Sequence, residues 1–105
     1  MSKLMYMSVN LIDKYTFVSR EVSILKETPK TYEIEVAGFW GRMLRKDTIG
    51  KVTEGNFIGS FKVFCFEEEM EEAEKKLKER LVNYYKVAYD KAKFKIDLLK
   101  EAGLY

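Results

Sequence analysis

Alternation of apolar and polar residues dominates the first two thirds of the chain. Tyr32, Ile34 and Val36 alternate with Glu33 and Glu35, a pattern typical of a strand with one buried face. Further β-rich runs cover residues 4–9, 15–26, 42–46, 49–53 and 57–66, separated by turns at Asp13–Lys14, Thr28–Lys30, Asp47–Thr48 and Gly55–Asn56, with a bulge expected near residues 19–21. We expect four or five of these segments to form an antiparallel sheet.

The last of these segments differs from the others because it is apolar on both faces. Phe61, Val63 and Cys65 fall on one face, and Phe64 and Phe66 fall on the other. Such a strand is either central and covered on both sides, or it meets another chain with its second face.

A helical pattern replaces the alternation from Glu67 to Ala102, where the chain contains neither Pro nor Gly. Apolar residues recur there at helical spacing, at Met70, Ala73, Leu77, Leu81, Tyr84, Ala88, Ala92, Ile96 and Leu99. Residues 67–74 carry six acids, and residues 75–100 carry nine bases and three acids, which matches the helix dipole, and Gly103 is a suitable stop. The sequence thus predicts one α+β domain, with a sheet over 1–66 and a long or broken helical region over 67–105.

The length of this region leaves two arrangements open. A straight helix of this length would span roughly 54 Å, whereas a compact domain of about 100 residues has a radius of gyration of about 13 Å. Either the helix breaks near Asn83 or Asp90 into a two-helix hairpin, or its overhang packs on another subunit. A second apolar flank (Val82, Tyr85, Tyr89 and Phe94) favours a homo-oligomer through the C-terminal helix, but a hairpin would also bury it.

Composition narrows the class of protein without identifying it. Of 105 residues, 47% are hydrophobic and 34% charged, as in ordinary folded domains. The net charge of +2 divides into +3 over residues 1–66 (10 bases, 7 acids) and −1 over residues 67–105 (9 bases, 10 acids), which is too little to indicate nucleic-acid binding. No apolar run approaches the roughly 18 residues of a membrane span, and residues 1–10 lack the organisation of a signal peptide. We therefore expect a cytoplasmic protein without a membrane partner, in the host cytoplasm if a phage encodes it.

Catalytic chemistry has few candidate residues. The chain has no His and one Cys, which removes the commonest general base and the usual zinc sites. The acids of residues 67–74 lie where a helix start favours them. We expect no enzymatic activity, no metal and no cofactor.

The most suggestive chemistry is a basic stretch at residues 42–51, next to Phe39 and Trp40. Arg42, Arg45, Lys46 and Lys51 with one acid, Asp47, suit an anion that carries a flat ring, such as a nucleotide. A solvated hairpin edge, whose lysines oppose edge-to-edge pairing, explains the same residues with fewer assumptions.

Two segments, Lys26–Tyr32 (KETPKTY) and Arg45–Val52 (RKDTIGKV), resemble small proteins of phages and prophages of low-GC Gram-positive bacteria, over residues 20–66. The layout of a sheet followed by helices is also similar to the anti-Thoeris sponge proteins. That resemblance implies an oligomer that sequesters a cyclic ADP-ribose-type signal without cleaving it. None of that family's ligand residues is transferred here, so the candidates Arg42, Arg45, Phe64 and Asn83 rest on chemistry and placement.

Three functions follow as hypotheses. The first is an anti-defence protein that sequesters a small anionic nucleotide. The second is an inhibitor of a host defence enzyme, of the anti-CRISPR kind, whose acidic face at Glu67–Glu74 imitates nucleic acid. The third is weak nucleic-acid binding by the basic sheet edge, which would fall steeply with salt.

Overall fold

The chain forms one antiparallel sheet followed by one helix in a computed structural model that describes residues 3–11, 14–36, 40–55 and 57–103. The strands are β1 (Leu4–Leu11), β2 (Tyr15–Glu27), β3 (Thr31–Val36), β4 (Trp40–Arg45), β5 (Thr53–Glu54) and β6 (Phe61–Phe66), and the helix is α1 (Met70–Glu101). Single 3₁₀ turns at Lys46–Thr48 and Glu67–Glu69 precede β5 and α1. The α+β class is therefore confirmed.

Three local predictions are corrected. The sheet has six strands in the order β4-β3-β2-β1-β6-β5, rather than four or five. The segment 49–53 is mostly turn and contributes only the start of β5, because the 3₁₀ turn reverses the chain after β4. The bulge lies between Ile24 and Lys26, while residues 19–21 pair regularly with β1. Asp13, Gly38, Phe39 and Asn56 fall outside the described residues, as does the side chain of Trp40.

The sheet curls strongly towards one of its faces. Strands β4 and β6 stand four positions apart in the strand order, which would separate them by about 19 Å in a flat sheet. Yet the guanidinium carbon of Arg42 on β4 lies 5.7 Å from the ring centroid of Phe64 on β6. The backbone N–H of Gly50 also donates to the carbonyl of Phe64 at 2.7 Å. We call the enclosed concave side the inner face.

Each face of the sheet carries an apolar cluster. The helix side holds Met7, Val9, Phe61, Val63, Cys65, Ala73, Leu77 and Leu81. The inner face holds Leu4, Val22, Ile34, Val36, Leu44 and Phe64. The alternation predicted for β6 is confirmed, and the strand is covered on both sides by its own chain.

The helix is continuous over 32 residues, about 48 Å, so neither Asn83 nor Asp90 breaks it and the two-helix hairpin is wrong. Its own sheet buries only Ala73, Leu77 and Leu81, and every described residue after Leu81 is exposed. The molecule consequently measures 62 × 25 × 23 Å, with a radius of gyration of 18.0 Å. Gly103 ends the helix as predicted, with φ +73° and its N–H donating to the carbonyl of Lys100.

Among the described residues, no helix has the length and apolar character that crossing a membrane requires.

Candidate functional site

The structure brings together two of the four residues that the sequence nominated. Arg42 and Phe64 meet on the inner face as described above. Arg45 points to the opposite side of β4, is exposed, and donates to the carboxylate of Asp47 at 2.8 Å. Asn83 lies on the exposed part of α1 and shares none of these contacts. Arg45 and Asn83 are therefore placed away from the candidate site.

The basic stretch of residues 42–51 also divides at Lys46. Its ammonium group donates to the carboxylate of Glu27 at 2.6 Å and lies 4.8 Å from the ring centroid of Tyr32. These contacts tie Lys46 to the end of the inner face that lies beyond the bulge of β2. Arg42, Arg45 and Lys46 therefore do not share one basic surface, as strand alternation already indicates from the sequence.

A different set of cations shares the inner face. In the pairing register, Tyr6 of β1 stands opposite Arg20 of β2 on one side and opposite Phe64 of β6 on the other. Lys62 of β6 has the same orientation as Phe64, two residues along the strand. Strand alternation and sheet curvature together place Arg20, Arg42 and Lys62 around an aromatic pair whose ring centroids, in Tyr6 and Phe64, are 5.2 Å apart.

The electrostatics of Lys62 reflect this neighbourhood. Partial burial, and secondarily the positive charge of Arg42, hold the pKa of Lys62 below its usual 10.5. The only carboxylate on the inner face of the described strands is that of Glu27, which the ammonium group of Lys46 already contacts. An anion entering this end of the face would relieve the repulsion between Lys62 and Arg42.

A cavity of about 210 Å³ opens on the inner face, and of these three cations Arg20 lines it. It is lined by Tyr6, Ser8, Val9, Asn10, Val18, Arg20, Val36, Gly55, Phe57 and Ser60. Phe57 is 60% exposed, and its turn is fixed because the Ser60 hydroxyl accepts from the Phe57 N–H at 3.1 Å and donates to the Phe57 carbonyl at 2.7 Å. The cavity thus combines a guanidinium, polar side chains and an accessible aromatic ring.

A larger groove of about 780 Å³ runs along the helix on another part of the molecule. Its walls are largely apolar, formed by Leu11 and Tyr15 on the sheet side and by residues of α1 that include Val82, Tyr85 and Tyr89. We call it the apolar groove. Size alone would select it as a ligand site, but a nucleotide needs directed cationic and hydrogen-bonding groups, which the smaller cavity provides.

Sequence reasoning missed Arg20, Lys62 and Phe57. The signal for the first two was present, because each is a single cation within an otherwise apolar stripe of a strand: Arg20 between Val18 and Val22, and Lys62 beside Phe64. Such a residue must either reach solvent or meet an anion. The role of Phe57 had no signal, because the prediction placed it inside a strand.

Other chemistry receives little support from the described residues. Within the described parts of the chain, no group of three or more His, Cys, Asp or Glu is placed to hold a metal ion. Cys65 is buried, and burial, with a smaller contribution from Glu69, raises the pKa of its thiol to about 11. A thiol in that state is a poor nucleophile at neutral pH.

Comparison of the chain with models of protein families, with curated proteins and with solved structures found no match.

Proposed function

We propose that this protein binds and sequesters a small anionic nucleotide, such as a cyclic nucleotide or a cyclic ADP-ribose-type molecule, on the inner face of its sheet. The observation that supports the proposal is the convergence of Arg20, Arg42 and Lys62 on one concave face, next to a cavity whose mouth carries the exposed ring of Phe57.

Each part of the ligand has a matching part of the site. Arginine guanidinium groups form charge-assisted hydrogen bonds to phosphate oxygens, and Lys62 adds a positive charge whose protonated form the anion would stabilise. The cavity is smaller than the roughly 300–1,000 Å³ of drug-sized ligand pockets. Only part of the ligand would therefore enter it: the phosphate would lie between Arg20, which lines the cavity, and Arg42 and Lys62 on the same face, with the base against Phe57. No bond is broken, so the protein would act stoichiometrically.

The biological role is the wider part of this proposal. Sequestration of a nucleotide signal would suit a phage protein that counters a host defence, the role implied by the resemblance of residues 20–66 and of the sheet-and-helix layout. The homo-oligomer predicted through the C-terminal helix is a separate proposal, because the exposed part of α1 takes no part in the inner-face site.

Isothermal titration calorimetry tests the site directly. Purified protein is titrated with a panel of cyclic mononucleotides, cyclic dinucleotides and cyclic ADP-ribose isomers. For any ligand that binds, Arg42→Gln is expected to weaken affinity by about tenfold or more, since charged hydrogen bonds contribute roughly 1.5–3 kcal/mol. Arg45→Gln is the matched control, because it removes the same charge from the opposite face of β4.

Two results would overturn the proposal. The first is the absence of binding heat for every compound in the panel, with thermal unfolding temperatures that also stay unchanged. The second is an equal loss of affinity in the Arg42 and Arg45 variants, which would mean that net charge rather than the inner face attracts the ligand. Affinity for a random oligonucleotide that falls steeply with salt would instead favour nucleic-acid binding.

A second candidate function, inhibition of a host enzyme by an acidic surface, is favoured by one observation. Of the six carboxylates between Glu67 and Glu74, all but that of Glu74 belong to exposed residues of the 3₁₀ turn and the first turn of α1. Such a surface can imitate the phosphates of a nucleic acid. Affinity purification from a host lysate tests it: one host nuclease or nucleic-acid-binding enzyme recovered in stoichiometric amount, and lost on Glu68→Lys, is the expected result.

A further inference from the structure

Beyond the sheet, the exposed part of α1 has a second apolar repeat. Val82, Tyr85, Tyr89, Ala92, Ile96 and Leu99 follow one another at steps of three and four residues. This spacing has an average period of 3.5 residues, which is the a/d pattern of a coiled coil, and it runs along one side of an unbroken helix. We call these six residues the seam.

Its own chain covers the seam only in part. Tyr85 lies beside the turn at Gly59, yet the five larger members of the seam are between 37% and 67% exposed. A helical stretch of about 20 residues that packs against so little of its own chain is marginal in water, and most helical stability in proteins comes from packing an apolar face. The seam therefore requires another surface.

We propose that the seam pairs with the seam of a second copy of this chain, forming a two-stranded coiled coil between two protomers. The proposal is independent of nucleotide binding, because the seam and the inner face share no residue.

The available area fits a dimer. From the observed exposures and typical side-chain areas, the seam presents about 500 Å² per chain, or about 1,000 Å² for two chains. That meets the minimum of roughly 1,000 Å² for a specific interface. The apolar groove adds to it, because its helical wall includes the first three seam residues and its other wall holds Leu11 and Tyr15, which are 41% and 45% exposed. A helix lying on the seam would also cover that wall.

The sequence of the seam and its flanks favours parallel helices. Two of the three a positions, Val82 and Ile96, are β-branched and one of the three d positions is Leu99, as in parallel dimers, while Tyr and Ala occupy the other three positions. The residues that directly follow the d positions are Lys86, Lys93 and Lys100. The residues that directly precede the a positions are Leu81, Ala88 and Lys95. Antiparallel pairing would place the lysine flank against itself, whereas parallel pairing places it mostly against apolar residues.

Sedimentation-velocity ultracentrifugation of the full chain tests the dimer. The wild-type protein is expected to sediment as a dimer at micromolar concentration, and Tyr89→Lys as a monomer. Phe94→Lys is the matched control: Phe94 is an aromatic residue of the same helix, 64% exposed against 67% for Tyr89, and it lies off the seam. It should remain a dimer. Far-UV circular dichroism confirms that both variants keep the fold.

Val82→Cys tests the parallel orientation. In a parallel pair the two copies of residue 82 meet, and oxidation should link the protomers; in an antiparallel pair this residue would face Leu99, about 26 Å along the helix from its copy. A monomeric wild type, or dissociation by Phe94→Lys instead of Tyr89→Lys, would overturn the proposed seam. A dimer that Val82→Cys fails to link would overturn the parallel arrangement.

Discussion

Gly59 lies where the turn beside the inner-face cavity touches the helix, and its replacement by alanine should cost much of the stability of the fold. Its φ is +80°, a conformation that costs a residue with a side chain roughly 1–2 kcal/mol. A Cβ atom there would lie 2.9 Å from the Tyr85 hydroxyl oxygen and 3.2 Å from Cε1 of Tyr84. Movement of Tyr84 away from the new Cβ would disturb the edge-on contacts of its ring with Phe61 and Tyr85.

The conformational cost and the cost of the close Cβ contacts add to about 3 kcal/mol, if the contacts cost an amount in the lower part of the usual overpacking range of about 1–3 kcal/mol. For a domain of this size each kcal/mol lowers the melting temperature by roughly 4–8 °C, so we expect a fall of about 10–25 °C. Thermal unfolding followed by circular dichroism measures it. Protein concentration is held constant, because dimerisation would make the melting temperature depend on concentration.

Gly103→Ala is the control, since Gly103 also has a positive φ (+73°) but a Cβ atom there would meet nothing within 4 Å. It should cost about 1 kcal/mol or less, because the end of the helix frays. Tyr85→Phe removes the hydroxyl that the new Cβ would strike, and in that background Gly59→Ala should cost less. Equal losses for Gly59→Ala and Gly103→Ala would refute the packing of this turn against the tyrosines.

Three further predictions concern the helix and the two shifted pKa values. Leu77→Ala should lower the free energy of unfolding by about 2–5 kcal/mol in urea titrations, because Leu77 is fully buried under the sheet. Leu98→Ala, on the exposed part of the same helix, should change the free energy of unfolding by less than about 0.5 kcal/mol. Similar losses for the two variants would contradict the assigned burial. At mildly alkaline pH, Cys65 should react with a thiol reagent at least about 100-fold more slowly in the folded protein than in the protein unfolded in urea. The reason is that its thiol is buried in the fold and has a pKa of about 11 there. Equal reaction rates would contradict the burial of the thiol. Lys62→Met should stabilise the protein slightly at about pH 7, because burial of the charged amine opposes folding at pH values below the folded-state pKa of Lys62. This gain in stability should disappear as the pH rises through that pKa towards 10.5. A gain in stability that does not change with pH would contradict the lowered pKa.

Local patterns were sufficient to predict much of the fold. The two-residue period of residues 32–36 and 61–66 placed each side chain on the correct face, since alternation is a property of the strand itself. Absence of Pro and Gly from residues 67–102, with Gly103 behind them, predicted a helical region and its end, but left open whether the helix was continuous. The strand count was less certain, because β5 has only two residues and exists through its pairing with β6.

The candidate site depended on a property that no local pattern contains. Arg42 meets Phe64 only because the sheet curls, and the curl arises from the twist of strands that are paired across the whole chain. The prediction nominated both Arg42 and Arg45, although strand alternation alone places the two on opposite sides of β4. Arg20 was overlooked because it is separated from Arg42 in sequence, although both lie on the inner face.

Which part of α1 the sheet covers depends both on the sequence pattern of the helix and on the fold of the sheet. The sequence contains both the sheet-facing stripe that includes Leu77 and Leu81 and the 3.5-residue repeat that begins at Val82, but it does not say where one gives way to the other. In the structure the boundary falls after Leu81, the last residue of α1 that the sheet buries, so the sheet covers about the first three turns of the helix. The seam is thus exposed because the curled sheet ends before it, and the proposed pairing with a second chain rests on that exposure as well as on the repeat.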